Sequence, residues 1–148
     1  MKRNSVYIGA LIFSGLVVLG VLLSPHFAQA ATLGVSPATN SVAVGSNFTV
    51  NIVLDTAGQA AAGVDVYSLH FNPSVLQVVD ADNVTAGVQI SPGTLMPTTQ
   101  YNSVNNSTGV IQFSQISSTS GTNFTGSGIL ATITFVAIAP GTSAPSGY

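Results

Sequence analysis

The sequence predicts an all-β protein, an antiparallel β-sandwich preceded by an export signal. Three observations predict it. Apolar residues recur with a period of two in several short runs, the pattern of half-buried strands. Gly, Pro, Asn and Asp interrupt those runs at intervals of roughly 8 to 14 residues, as turns do in sandwiches. No stretch beyond residue 30 shows the 3.6-residue period of an amphipathic helix.

The first 30 residues are of another kind. Lys2 and Arg3 are the only basic residues of the 148. Residues 6–23 form an apolar run, Pro25 follows it, and Ala28-Gln29-Ala30 has the small-x-small form of a signal-peptidase site. Charged start, apolar centre and small-residue exit make a secretory signal peptide, residues 1–30, cleaved after Ala30. The competing reading is an uncleaved anchor, for which the run is short, because a bilayer core of roughly 30 Å takes about 20 residues to cross. The membrane is a partner only in that case.

Cleavage leaves residues 31–148 as one domain, long enough to bury a single core. Its charges are Asp55, Asp65, Asp80 and Asp82, with no Lys or Arg. A surface without basic side chains cannot neutralise phosphates, so nucleic acid is excluded as a partner. There is no Cys, which excludes disulfides and thiolate chemistry.

The elements follow in order. Phe48, Val50, Ile52 and Leu54 alternate with Asn47, Thr49, Asn51 and Val53 and put four apolar side chains on one strand face. Asp55-Thr56-Ala57-Gly58 is a turn. Over residues 62–71 the phase slips: Val64 and Val66 are even, Leu69 and Phe71 odd. Two readings stand. A β-bulge at Tyr67-Ser68 lets both halves face the core; otherwise Tyr67, Leu69 and Phe71 face inward and Val66 outward. Asn72-Pro73-Ser74 is the next turn. Residues 75–80 are apolar, Asp80-Ala81-Asp82-Asn83 ends them, and residues 84–90 read as a short strand closed by Ser91-Pro92-Gly93. Pro97 argues against a central strand over 94–100. Residues 101–104 and 110–116 flank a Gly-bearing loop and form a hairpin. After a polar connection, Ile129, Ala131, Ile133, Phe135 and Ala137 make an apolar face up to Pro140-Gly141.

The ordered set resembles a cohesin domain. Gly45-Ser46 opening the strand 47–52, residues 63–71 leading into the Phe71-Asn72-Pro73-Ser74-Val75-Leu76 corner, the stretch 108–114, and residues 128–135 with the exit Ala139-Pro140-Gly141-Thr142 carry the resemblance. It spans residues 33 to 142. The resemblance implies a jelly-roll sandwich of nine strands, shared with some carbohydrate-binding modules, without catalysis or cofactor, that binds a dockerin-like domain through one sheet face. It also implies that Asp65, on the third strand, contacts the partner. Cohesins continue past Pro-Gly-Thr into a final strand, whereas here Ser143-Ala144-Pro145-Ser146-Gly147-Tyr148 follows. The domain therefore reads as C-terminally truncated, or as completed by a strand that a partner donates.

Against this stand plainer and rival readings. Asp80 and Asp82 share a strand face in principle, yet their setting is that of turn-capping carboxylates rather than a glycosidase pair. The Asp-x-Asp-x-Asp/Asn-Gly spacing of a calcium loop is absent, so no metal is expected. His70 and Asp65 lie on opposite faces unless a bulge intervenes, which disfavours a Ser-His-Asp arrangement. Five N-x-Ser/Thr sequons, at Asn47, Asn83, Asn105, Asn106 and Asn123, are expected by chance in so Asn- and Thr-rich a chain. The rival function is a carbohydrate-binding module stacking Tyr101 and Phe124, the aromatics expected to be exposed, on a polysaccharide; the lack of Trp weighs against it. The expected function is a secreted or cell-surface, non-enzymatic adhesion module in an extracellular, polysaccharide-handling assembly.

Overall fold

The computed structural model describes residues 30–38, 40–117 and 122–147. The expected signal peptide lies, apart from Ala30, outside the described residues, as does Tyr148. Eight strands are described and no helix: β1 (Thr32–Ser36), β2 (Asn47–Asp55), β3 (Gly63–His70), β4 (Leu76–Val78), β5 (Ser91–Pro92), β6 (Thr98–Asn105), β7 (Val110–Ile116) and β8 (Ser127–Ala137). One sheet runs β1-β2-β8-β4, with β5 also on β8; the other runs β3-β7-β6. All pairings are antiparallel. The strands β4 and β5 meet successive parts of β8, at Phe135–Ala137 near its end and at Ala131–Thr132 near its middle.

The core lies between the sheets. Val50, Ile52 and Leu54 of β2 face Val66, Leu69, Ile111 and Phe113 of the second sheet, all buried. Phe48 and Phe135 are direct cross-strand partners with ring centroids 5.6 Å apart, and Phe71 meets Phe135 edge-on at 5.3 Å. Aromatic pairs of this geometry add about 0.5–1.5 kcal/mol to the apolar area they bury.

Two bulges set which residues reach that core. In β3 the ladder to β7 shifts between Val66 and Leu69, so Val66, Leu69 and Phe71 are all buried and Tyr67 points out, 76 % exposed. The bulge reading holds, and the alternative that turned Tyr67 inward does not. In β8 the ladder to β2 shifts at Leu130, because Ile52 pairs Ala131 while Val53 pairs Ile129. The alternating face expected from Ile129 onward is therefore corrected at its first member: Ile129 is 46 % exposed and Leu130 is fully buried. An inserted residue moves a side chain from one face to the other, and period-two counting cannot see it.

Two further expectations change. Residues 84–90 form no strand; Val84 is 95 % exposed, and a single bridge joins Val88 to Val104. β1 was not anticipated, since Leu33 and Val35 alone are too few to show a period. The strand 101–104 extends back to Thr98, directly after Pro97, at the sheet edge where proline is tolerated.

Along the stretch from Val78 to Gly93, side-chain amides add to the short pairings of β4 and β5 with β8. Asn106, in the β6–β7 loop, accepts from the Val78 N–H (2.8 Å) and donates to the Val78 carbonyl (3.0 Å). Asn102 does the same for Ile90, at 3.0 and 2.7 Å. Gln115, on the inner side of β7, donates to the Gly93 carbonyl at 3.0 Å. Each amide stands in for a strand residue by offering a donor or acceptor where backbone would otherwise go unpaired. The loop that carries Asn106 turns at Gly109, whose φ is +71° and where a Cβ would stand 2.1 Å from the Phe71 carbonyl oxygen, so glycine is required there.

Within this stretch the two acids are occupied by backbone. Asp80 accepts from the Asp82 and Gln89 N–H groups (3.1 and 3.0 Å). Asp82 accepts from the Thr85 hydroxyl (2.5 Å) and the Val84 N–H (2.9 Å). The Thr85 hydroxyl chiefly, and the Val84 N–H next, hold the Asp82 carboxyl below its ordinary value. Folding thus favours the ionised form, and the contribution is present at neutral pH and lost as pH falls through the lowered value.

Two outcomes are expected. Leu130→Ala costs about 2–5 kcal/mol in urea unfolding while Ile129→Ala stays within about 0.5 kcal/mol, although the two are adjacent and similar in size. Thr85→Val moves the Asp82 titration, followed by carboxyl-carbon NMR, upward toward the ordinary carboxylate value.

Candidate functional site

The outer face of the β3-β7-β6 sheet is built by register. β7 is central, and its outward residues Ile116, Ser114, Gln112 and Val110 form the spine of four cross-strand rows. Asp65 of β3 and Tyr101 of β6 both pair Ser114, which gives the row Asp65–Ser114–Tyr101. The next row is Gln112 with Ser103, and opposite Gln112 the bulge presents Tyr67. His70, Val110 and Asn105 follow, and Gly63, Ile116 and Thr98 lie at the other end. With strands spaced about 4.8 Å apart, the backbones of Asp65 and Tyr101 stand about 10 Å from each other.

The chemistry of this face is simple. Asp65 and Tyr101 are exposed, Tyr101 by 53 %. Tyr67 and Tyr101 are the two largest aromatic exposures among the described residues. Ser103, Gln112 and Ser114 between them are half-buried and neutral. The Asp65 carboxylate is the only acid on the face, and no Lys or Arg exists after residue 3. The face therefore offers one negative charge, two phenol rings and a flat field of short hydrogen-bonding groups. Tyrosines in such a setting give large rigid contact area at low entropic cost.

The sequence-derived residues divide. Asp65 and Tyr101, proposed for different ligands, fall in one row of one face. Phe124 does not join them, and its expected exposure is corrected. It is half-buried against the core, and its backbone exchanges two hydrogen bonds with Ala61, at 2.8 and 3.0 Å, where β3 begins. Tyr67 is the residue that sequence reasoning missed; the phase slip beside it was the available signal.

The rejected chemistries can be placed too. The bulge brings Asp65 and His70 to one face, yet they stand two rows apart, roughly 13 Å along the strand, beyond any hydrogen-bond relay. Asp80 and Asp82 cap their own loop. Among the described residues no three His, Cys, Asp or Glu side chains gather as metal ligands.

The family model described as Cohesin domain matches residues 33–146. Among curated proteins none matches. Similar solved structures include the second type II cohesin module of the adaptor ScaA scaffoldin of Acetivibrio cellulolyticus, at 18 % identity and TM-score 0.61, covering 80 % of this chain and 69 % of that one. The Coh3ScaB–XDoc complex, an interface mutant of a type II cohesin-X-dockerin complex from the same organism, matches at 16 % identity and TM-score 0.57, covering 78 % and 75 %. A type I cohesin–dockerin complex from Clostridium thermocellum, Coh-OlpA-Doc918, matches at 14 % identity and TM-score 0.59, covering 78 % and 79 %. At these identities the structures attest the fold alone. The family match spans most of the chain and both sheets, so the chain belongs to the cohesin domain family.

Proposed function

We propose that this chain is an exported, non-catalytic adhesion module that docks a dockerin-type domain on the outer face of the β3-β7-β6 sheet. The observation that carries the reading is the row Asp65–Ser114–Tyr101 with Tyr67 beside it: a flat, nearly neutral face with rigid aromatic anchors and one acid. Family membership and relatives recorded in cohesin–dockerin complexes support it. Asp65 selects a partner with a basic side chain, and Tyr67 and Tyr101 flank an apolar one. With a single acid on the face, electrostatics contributes orientation more than affinity, and buried aromatic contact supplies most of the binding energy.

Residues 1–30 direct export, and the module works outside the cell or on its surface in an assembly that handles polysaccharide. N-terminal sequencing of the exported protein is expected to begin at Ala31. The second reading, direct polysaccharide binding, has Tyr101 in its favour, whereas Phe124 is half-buried against the core.

Calorimetric titration against a panel of type I and type II dockerin domains separates the two. Asp65→Ala and Tyr67→Ala are each expected to weaken dockerin binding about tenfold or more, a loss of about 1.4 kcal/mol. Sedimentation with insoluble polysaccharide that is abolished by Tyr101→Ala, with no dockerin bound, would replace the docking reading by the sugar-binding one.

A further inference from the structure

The outer face of the β3-β7-β6 sheet carries one further titratable side chain. His70 closes that face in the row Ser146–His70–Val110–Asn105, and its side chain is exposed. It is the only histidine beyond residue 30. With no Lys or Arg after residue 3, it is also the only side chain of that region able to take on a positive charge near neutral pH.

The footprint of a docked domain reaches it. The four rows, spaced about 6.8 Å along the strands, span about 20 Å. A standard interface covers about 800 Å² on each partner, a disc of about 16 Å radius. His70 stands one row from Tyr67 and two rows, roughly 13 Å, from Asp65. A partner seated on Asp65 and Tyr67 therefore takes water from the imidazole as well.

No group beside the ring offsets a charge on it. Across the ladder β7 presents Val110, half-buried and apolar. Beyond it β6 presents Asn105, whose carboxamide oxygen already accepts the Ser107 and Thr108 N–H groups, both at 3.0 Å. On the other side the Ser146 carbonyl accepts from the His70 backbone N–H, and Gly147 lies against the Cδ2 edge of the ring, where a Cβ would stand 3.4 Å away. The other titratable groups of the face are Asp65 and Tyr67 on β3 itself and Tyr101 on β6; β7 and residues 142–147 bring none. Asp65 lies beyond the Debye length of about 8 Å at physiological salt, so its carboxylate does not pair with the ring.

We infer, resting on the docking reading above, that His70 is a specificity-determining residue of the docking face: it admits only an uncharged group of the partner opposite it, and it makes docking weaken as pH falls. A neutral imidazole is covered at little cost. An imidazolium covered without a counter-charge loses its hydration and gains nothing in return. The partner that Asp65 selects carries a basic side chain, so protonation also sets two positive charges within one contact. By linkage the complex holds fewer protons than the free chain. Affinity is therefore full at neutral pH and falls as His70 takes up a proton, by at most about tenfold per pH unit.

The test is calorimetric titration of the chain and its His70 variants with the dockerin domain of the panel that binds best, at about pH 7.5 and about pH 5.5. The wild-type chain is expected to bind about fivefold or more weakly at the lower pH, beyond any change seen for His70→Gln, which cannot be charged. Reading the difference between these two removes the dockerin's own titration. His70→Lys is expected to bind weakly at both values, and Asp65→Ala to keep the pH step while losing affinity at each. Between the two values wild-type docking is expected to release protons, seen as heats that vary with the ionisation enthalpy of the buffer, and His70→Gln docking to release fewer. Equal pH steps for wild type and His70→Gln, tight binding by His70→Lys, or tighter wild-type binding at the lower pH would overturn the role of His70 and leave docking intact. Absence of dockerin binding at about pH 7.5 would overturn the docking reading and the role of His70 with it.

Discussion

Three side-chain amides decide how this sandwich holds together. Most of its interior is aliphatic and non-directional, so it fixes neither the offset of the two sheets nor the path of the chain between them. Asn102, Asn106 and Gln115 supply that direction by completing the hydrogen bonding of Val78, Ile90 and Gly93. Each bond contributes only about 1 kcal/mol net, but leaving its buried backbone partner unpaired costs about 1–3 kcal/mol. A polar tie therefore selects one arrangement among many that bury similar area.

The bulges are the second organising device, and they connect folding to surface chemistry. In β8 the inserted residue keeps Leu130 in the core and turns Ile129 out. In β3 the same device lets Val66 and Leu69 both be buried, and its by-product is an exposed tyrosine beside Asp65. The outer face of this sheet owes its most exposed aromatic side chain to a register defect whose structural justification lies on the opposite side of the sheet. Bulges also lock register, since a one-residue slip would exchange inner and outer faces along the whole strand.

Much of this was legible beforehand and the remainder was not for definite reasons. The face of β2, the corner at Asn72-Pro73 and the hairpin loop ending in Gly109 follow from period and turn chemistry, both local properties. The bulge in β3 was visible as a phase slip, whereas that in β8 was hidden because Leu130, Ile129 and their neighbours are all apolar and any phase reads well. The segment 84–90 looked like a strand by composition, but its hydrogen bonds are taken by Asp80, Asp82 and Asn102, which lie before and after it in the chain. Asp65 and Tyr101 were each named, yet their common row depends on pairing through Ser114 and could not be counted from the sequence. Phe124 was misplaced because its partner Ala61 lies more than sixty residues away.

The Asn106 tie has a chemical lifetime. Asparagine is among the residues that heat degrades first, and here its Nδ2 is the group that donates to the Val78 carbonyl. Hydrolysis to aspartate would replace that donor by a carboxylate oxygen facing another oxygen, turning attraction into repulsion where loop and β4 meet. Ageing at this one nitrogen would loosen the tie between the β6–β7 loop and β4 without any change in the apolar interior.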